Sequence, residues 1–253
     1  MTELLALARA VAATDRLVVL TGAGVSTASG IPDYRGPNGT WTTDPEAEAR
    51  ATIDAYAADE QVRRTTWRRR VDGPVLSAVP NPAHDALVEL ERRGHLHTVV
   101  TQNVDGLHQL AGHAPERVIE VHGNVHGARC LTCGWTGPMA TVLARVRRGD
   151  PDPRCGACCG VLTSTTVAFG ESLDPAVLQR AHDATVSCEL FLAVGTSLLV
   201  HPVALLPRTA LRAGATLGIV TRGPTPYDAE AAIRIDDDAG ATLSAVVDLL
   251  DDI

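Results

Sequence analysis

Apolar positions along this chain gather into short segments whose spacing predicts the elements. Residues 2–13 carry apolar side chains at helical spacing and predict a helix. Residues 16–21 (Arg-Leu-Val-Val-Leu-Thr) form an apolar run that stops at Gly22, the pattern of a strand buried on both faces. Similar runs at 97–101, 118–121, 190–194 and 216–220 predict four more strands. Residues 22–39 read as loop, rich in Gly, Ser, Thr and Pro, and 47–70 as a polar, Arg-rich helix. At Asn81-Pro82 a helix starts, because Asn caps and Pro suits the first turn; it runs to Arg93 and stops at Gly94. A helical stretch separates 190–194 from 216–220, and a last helix covers 241–250. Strands alternating with helices predict an α/β fold, a doubly wound parallel sheet covered on both faces. Gly-rich turns follow the first and fourth strands, where such a sheet places a nucleotide.

Composition narrows the class. The chain has 253 residues, 45% apolar and 21% charged, so it is an ordinary folded protein with enough length for a sizeable core. Its net charge of −8 argues against a nucleic-acid partner, which wants a basic face. All 22 basic side chains are Arg and none is Lys; a GC-rich gene is the plain cause. The first residues lack a basic stretch, Arg9, Asp15 and Arg16 interrupt the apolar run, and no run approaches 18 apolar residues. The expectation is therefore a cytoplasmic protein with no membrane partner. The sequence leaves the oligomeric state open.

Residues 129–161 break the alternation, being rich in Gly, Pro and Cys. Within them Cys130-Leu131-Thr132-Cys133 is followed by Cys155-Gly156-Ala157-Cys158. Two C-x-x-C pairs so spaced predict one tetrahedral zinc ion, needed because so short a segment has too little core to fold alone. Cys159 is a fifth candidate, but Cys158 keeps the two-residue gap. Four thiolates close the metal's shell, so the zinc is structural rather than catalytic. Cys188 reads as a small core residue.

The loop after the first strand opens Gly22-Ala23-Gly24, suited to close approach of a phosphate. It is not the dinucleotide fingerprint G-x-G-x-x-G, because the third Gly is replaced by Thr27. The longer string does point to a family. Gly22-Ala23-Gly24-Val25-Ser26-Thr27-Ala28-Ser29-Gly30-Ile31-Pro32-Asp33-Tyr34-Arg35-Gly36 resembles the first signature of the sirtuin (Sir2) family. Thr101-Gln102-Asn103-Val104-Asp105-Gly106-Leu107-His108 resembles the second. His122-Gly123, the four cysteines, Phe169-Gly170-Glu171, Gly195-Thr196-Ser197 and Pro224-Thr225-Pro226-Tyr227-Asp228 follow in the family's order.

The resemblance, to sirtuins of bacterial type, implies an NAD-dependent protein lysine deacylase, acetyl by default, giving nicotinamide, O-acyl-ADP-ribose and free lysine. Alternatives that use the same residues are a protein ADP-ribosyltransferase and a non-catalytic NAD and zinc sensor. It implies a Rossmann-like NAD-binding domain (1–36, 81–126 and 162–253), a helical insertion (37–80) and a small zinc module (127–161). His122 is then the base for a ribose hydroxyl, and its ordinary pKa near neutrality suits that task. Asn103 is assigned to the ribose and a held water, and Asp105 to the nicotinamide amide. Lying two apart past a strand end, both can face one side. Gln102 is assigned to the ribose; Gly22, Ala23, Gly24 and Ser26 to phosphate; Asp33, Tyr34 and Arg35 to a cofactor loop. Gly195, Thr196 and Ser197 serve the cofactor from the second Gly turn, and Thr221 stands where the family holds the adenine ribose with Asn. Val167, Phe169 and Gly170 wall the acyl-lysine tunnel and pair with substrate backbone. His84 and His108 read as structural.

Two departures stand out. The family's Leu-Arg-Pro before Phe-Gly-Glu is replaced by Leu162-Thr163-Ser164, so a buried Arg is missing from the hinge. The Tyr and Arg of the desuccinylase subgroup are not both found at 65–70, so no acidic acyl preference follows. Arg63, Arg64, Arg68, Arg69 and Arg70 read as a solvated helix face, or as a rim for acidic groups. With no Lys, the substrate is an acylated lysine of another protein: apart from its α-amino group this chain has none to acylate.

Overall fold

The structure, a computed structural model, describes residues 2–36, 39–44 and 46–253. Met1, residues 37–38 of the predicted loop and Pro45 of the predicted insertion lie outside them. Helix α1 (Thr2–Ala12) buries Leu7, Ala8 and Val11, and β1 (Leu17–Thr21) is buried at all five positions. The predicted insertion spans α2 (Thr40–Thr43), α3 (Glu46–Arg50), α4 (Ile53–Ala58) and α5 (Glu60–Asp72). Sequence predicts one helix over 47–70; the structure breaks it, because two capping side chains restart the backbone. Thr52 accepts from the Ala55 amide, and Asp59 accepts from the amides of Gln61 and Val62. Helix α6 (Pro82–Arg92) starts on the predicted Asn81 cap, closed by His84 Nδ1 accepting the Asn81 amide.

The chain continues through β2 (Leu96–Thr101), α7 (Leu107–Ala111), β3 (Val118–Glu120), β4 (Gly127–Cys130), β5 (Thr136–Pro138), α8 (Met139–Arg147) and β6 (Leu162–Ser164). It closes with α9 (Pro175–Ser187), β7 (Leu190–Val194), α10 (Leu206–Arg212), β8 (Thr216–Val220), β9 (Ile233–Ile235) and α11 (Ala239–Leu249). Six parallel strands form the large sheet in the order β3-β2-β1-β7-β8-β9. The five predicted strands are all in it. The sixth, Ile233-Arg234-Ile235, is too short to stand out from its surroundings.

Alternation along β1 sends its side chains to two cores. Leu17 and Val19 pack with α1, α6 and α11 on one face; Val18 and Leu20 pack with α9 and α10 on the other. Helices on both faces make the doubly wound arrangement expected. The strand order reverses between β1 and β7, which opens a crevice at their carboxyl ends.

A second sheet, β5-β4-β6, is antiparallel. Residues 162–164 pair with β4 (Arg129 opposite Thr163), so they sit in this small sheet rather than the large one. The arginine-rich helix is not a uniformly solvated face. Arg63 is buried, and its guanidinium binds both oxygens of Asp152 at 3.0 and 3.1 Å. It also donates to the carbonyls of Tyr56 and Ala57 in α4, so that its bonds to Asp152 tie α4 and α5 to the zinc-side module. Arg70 stacks over Trp67, 4.7 Å to the ring centroid, and donates to Ser164 Oγ at 2.8 Å. The hinge strand that lacks its own Arg thus receives one from α5.

Candidate active site and metal centre

Every expected cofactor and catalytic residue except those of the 31–36 segment follows the carboxyl end of a large-sheet strand. Gly22, Ala23, Gly24 and Ser26 follow β1; Gln102, Asn103 and Asp105 follow β2; His122 follows β3; Gly195, Thr196 and Ser197 follow β7; Thr221 follows β8. The two Gly turns press together. A Cβ on Gly24 would stand 2.8 Å from the Gly195 carbonyl oxygen, and Gly195 itself holds φ +60. Only residues without Cβ allow this closeness, and it joins the two turns into one floor across the strand-order reversal.

On that floor the polar groups interlock. Ser26 Oγ donates to Asp105 Oδ2 at 2.7 Å, and the Leu107 amide donates to Asp105 Oδ1 at 3.0 Å. Asn103 Nδ2 donates to the Gly22 carbonyl and to Ser26 Oγ, which commits the amide nitrogen and leaves Oδ1 as the free acceptor. Gln102 Nε2 donates to Thr196 Oγ1 at 2.9 Å, linking β2 to the second Gly turn. Thr21 Oγ1 donates to Thr101 Oγ1, which accepts the Asn103 amide. These two threonines at strand ends support Asn103 and were not legible as site residues in the sequence.

His122 Nδ1 lies 3.0 Å from the Gln102 carbonyl oxygen, so Nδ1 carries the proton and Nε2 is the basic nitrogen. Among the described residues, Nε2 has no hydrogen-bond partner. Burial pushes His122 below the ordinary imidazole value, while the bond to Gln102 pulls the other way. The Val167 amide donates to the His122 carbonyl at 2.8 Å, which brings the 167–170 segment beside the histidine. Trp41, to which the sequence assigned no site role, lies between Tyr34 (centroids 4.8 Å apart) and Phe169 (5.3 Å). Arg35 stacks on the same ring. Asp33 instead turns back to accept the Gly36 amide, and Thr221 lies two strands from β1, about 10 Å along the crevice.

The four predicted cysteines converge. Cys130 and Cys158 sulfurs are 3.5 Å apart, Cys133 and Cys155 3.7 Å, and all four lie within 4.8 Å of one another. A tetrahedral zinc with bonds of about 2.3 Å needs sulfurs about 3.8 Å apart, so this quartet is positioned to bind one zinc ion. Cys158 rather than Cys159 completes it. Cys188 is buried, donates to the Thr185 carbonyl and is pushed up to about 11 by burial, an inert core thiol.

The sequence model of the Sir2 family matches residues 22–202. An NAD-dependent protein deacetylase of Streptomyces coelicolor is 52% identical over 231 residues, 91% of this chain and 96% of its own length. One from Haloarcula marismortui is 40% identical over 97% of this chain and 94% of its own. Among solved structures, a Sir2 enzyme superposes with TM-score 0.91 at 36% identity, covering 99% of this chain and 98% of its own. A Sir2 variant solved with a deacetylated p53 peptide and 3′-O-acetyl-ADP-ribose gives 0.88 at 34%, covering 96% of both. No described helix is long and apolar enough to cross a membrane. This chain belongs to the Sir2 family.

Proposed function

We propose that the protein is an NAD-dependent protein lysine deacylase that acts on acetylated lysines of other proteins. The observation that carries this reading is the His122 geometry. Its Nδ1 is tied to the Gln102 carbonyl, its Nε2 is uncommitted, and its own carbonyl holds Val167 of the substrate wall. The crevice above the joined Gly turns fits a dinucleotide: close backbone approach, the Thr196 hydroxyl with its proton uncommitted, and acceptors at Asn103 and Asp105. NAD bound there supplies an electrophilic sugar carbon with nicotinamide as leaving group. His122 Nε2 takes a proton from a ribose hydroxyl and passes it on as the product forms. Asn103 Oδ1 accepts from a ribose hydroxyl or a water. Asp105, each of whose oxygens accepts one protein donor, keeps a lone pair for the carboxamide NH₂. Tyr34, Trp41 and Phe169 cover the reacting region. The zinc quartet offers no open coordination position and stays outside the chemistry. We place the work in the cytoplasm, where free thiols persist as metal ligands.

The test is incubation of the purified protein with NAD and an acetyl-lysine peptide, read by mass spectrometry. Nicotinamide, acetylated ADP-ribose and free-lysine peptide are expected in equal amounts. His122→Ala is expected to lose about 10²- to 10⁴-fold in turnover while keeping its zinc. ADP-ribose attached to protein indicates a transferase instead, and unconsumed NAD indicates a sensor.

A further inference from the structure

One ion pair has no part in the mechanism above, yet it touches the substrate wall. Arg129, in β4, donates Nε to the Ser164 carbonyl at 3.1 Å and Nη2 to both oxygens of Glu171 at 2.5 and 2.6 Å. Glu171 Oε2 also accepts the Ala168 amide at 3.0 Å, and the Glu171 amide donates to the Ala168 carbonyl at 3.1 Å. The carboxylate therefore closes the 168–171 turn on itself, with Gly170 at φ +90 supplying its left-handed corner. Arg129 fastens the closed turn to the small sheet. Both side chains are largely shielded, at 29% and 18% exposure, where charge-assisted bonds are strong.

The rest of the wall is held from elsewhere. Val167 hangs from the His122 carbonyl, and the Phe169 carbonyl accepts the Ile53 amide at 2.9 Å. Phe169 itself is 39% exposed beside Trp41. Of the three anchors, only the Arg129 one comes from the module that carries the metal. Cys130 is the next residue of β4, and neighbours in a strand face opposite ways. One face of that strand meets the thiolate quartet and the other meets Glu171.

We propose that Arg129 and Glu171 are positioning residues that hold the 167–170 wall at the spacing an acyl-lysine needs, so that peptide affinity depends on the small sheet. This rests on the deacylase reading of the same crevice. Loss of the pair frees the turn without touching the Gly turns, Asn103 or His122. Peptide binding weakens, while the cofactor site keeps its geometry.

The experiment uses the zinc-loaded protein with Glu171→Gln, which preserves shape, and Arg129→Ala, with the exchanged pair Arg129→Glu/Glu171→Arg as rescue. Steady-state kinetics vary the acetyl-lysine peptide and NAD separately, and hydrogen exchange follows the amides of 167–171. Expected are a KM for peptide raised about tenfold, a KM for NAD and a kcat within about twofold, and exchange of the Ala168 and Glu171 amides at least about tenfold faster. The exchanged pair is expected to recover part of the peptide KM. Unchanged peptide KM in Glu171→Gln with faster exchange overturns the positioning role. Both KM values rising together with a lower melting temperature overturns it in favour of general stability. If the unaltered protein turns over no peptide, the deacylase reading fails. The exchange data then still decide whether the pair holds the turn.

Discussion

The large sheet and the small sheet stay folded by different means. Among the described residues, the two cores of the large sheet hold twenty and seventeen buried apolar residues, with Val18, Leu192 and Phe191 at 0% exposure. The small sheet's core holds eight of the described residues, of which two, Cys130 and Cys155, belong to the thiolate quartet and one, Trp67, is lent by α5. The large sheet therefore stands on apolar burial, and its strand ends are free to carry polar groups. The small one depends on thiolates and on ion pairs, Arg63 with Asp152 and Arg129 with Glu171. The proposed chemistry sits where the fold is self-sufficient, and the thiolate quartet sits where it is not.

Removal of zinc is the strongest way to break this comparison. Structural zinc contributes on the order of 10 kcal/mol in small modules that depend on it. Complete chelation is expected to abolish hydrogen-exchange protection in β4, β6 and α8 while β1, β2 and β7 keep theirs. Equal loss in both sheets, or none in either, contradicts it.

Cutting the ion pair between insertion and module comes next. Arg63→Ala leaves Asp152 buried without its main partner and is expected to cost about 3–5 kcal/mol. Arg64→Ala removes only an exposed pair with Glu60 and is expected to cost under about 0.5 kcal/mol. Urea denaturation followed at Trp67 checks both, and equal costs would place Arg63 on the surface.

A smaller effect separates the histidines. His84 and His108 are buried, and burial holds both below the ordinary 6.5, His108 furthest, with the neighbouring histidines adding to it. The unfolded chain then binds more protons than the folded one below about pH 6.5. Stability is expected to be full above that value and to fall as pH drops below it. A melting temperature independent of pH between 7 and 5 argues against buried neutral histidines.

Much of this was legible in the sequence because it is local. Strand runs, the Asn81 cap and the C-x-x-C pairs each announce themselves within a few residues. The role proposed for His122 rests on motif order, since an isolated histidine after a strand carries no signal. What escaped was long-range. Arg63 and Asp152 lie 89 residues apart, and Arg129 and Glu171 lie 42 apart. No spacing rule reaches that far. The broken helix at 47–70 had its caps in view at Thr52 and Asp59, but polar composition hid them among other polar residues.

The pH dependence of kcat/KM in zinc- and cobalt-loaded protein tests most directly whether the reaction belongs to the sheet crevice and the ion is only a scaffold. The proposed base, His122, must be neutral to act, and burial holds it below 6.5, so the rate is expected to stay level through neutrality and to fall only at lower pH. The falling limb is expected at the same pH with either metal. A limb that moves when the metal is exchanged would mean that a metal-bound water is the titrating group, and would contradict the account.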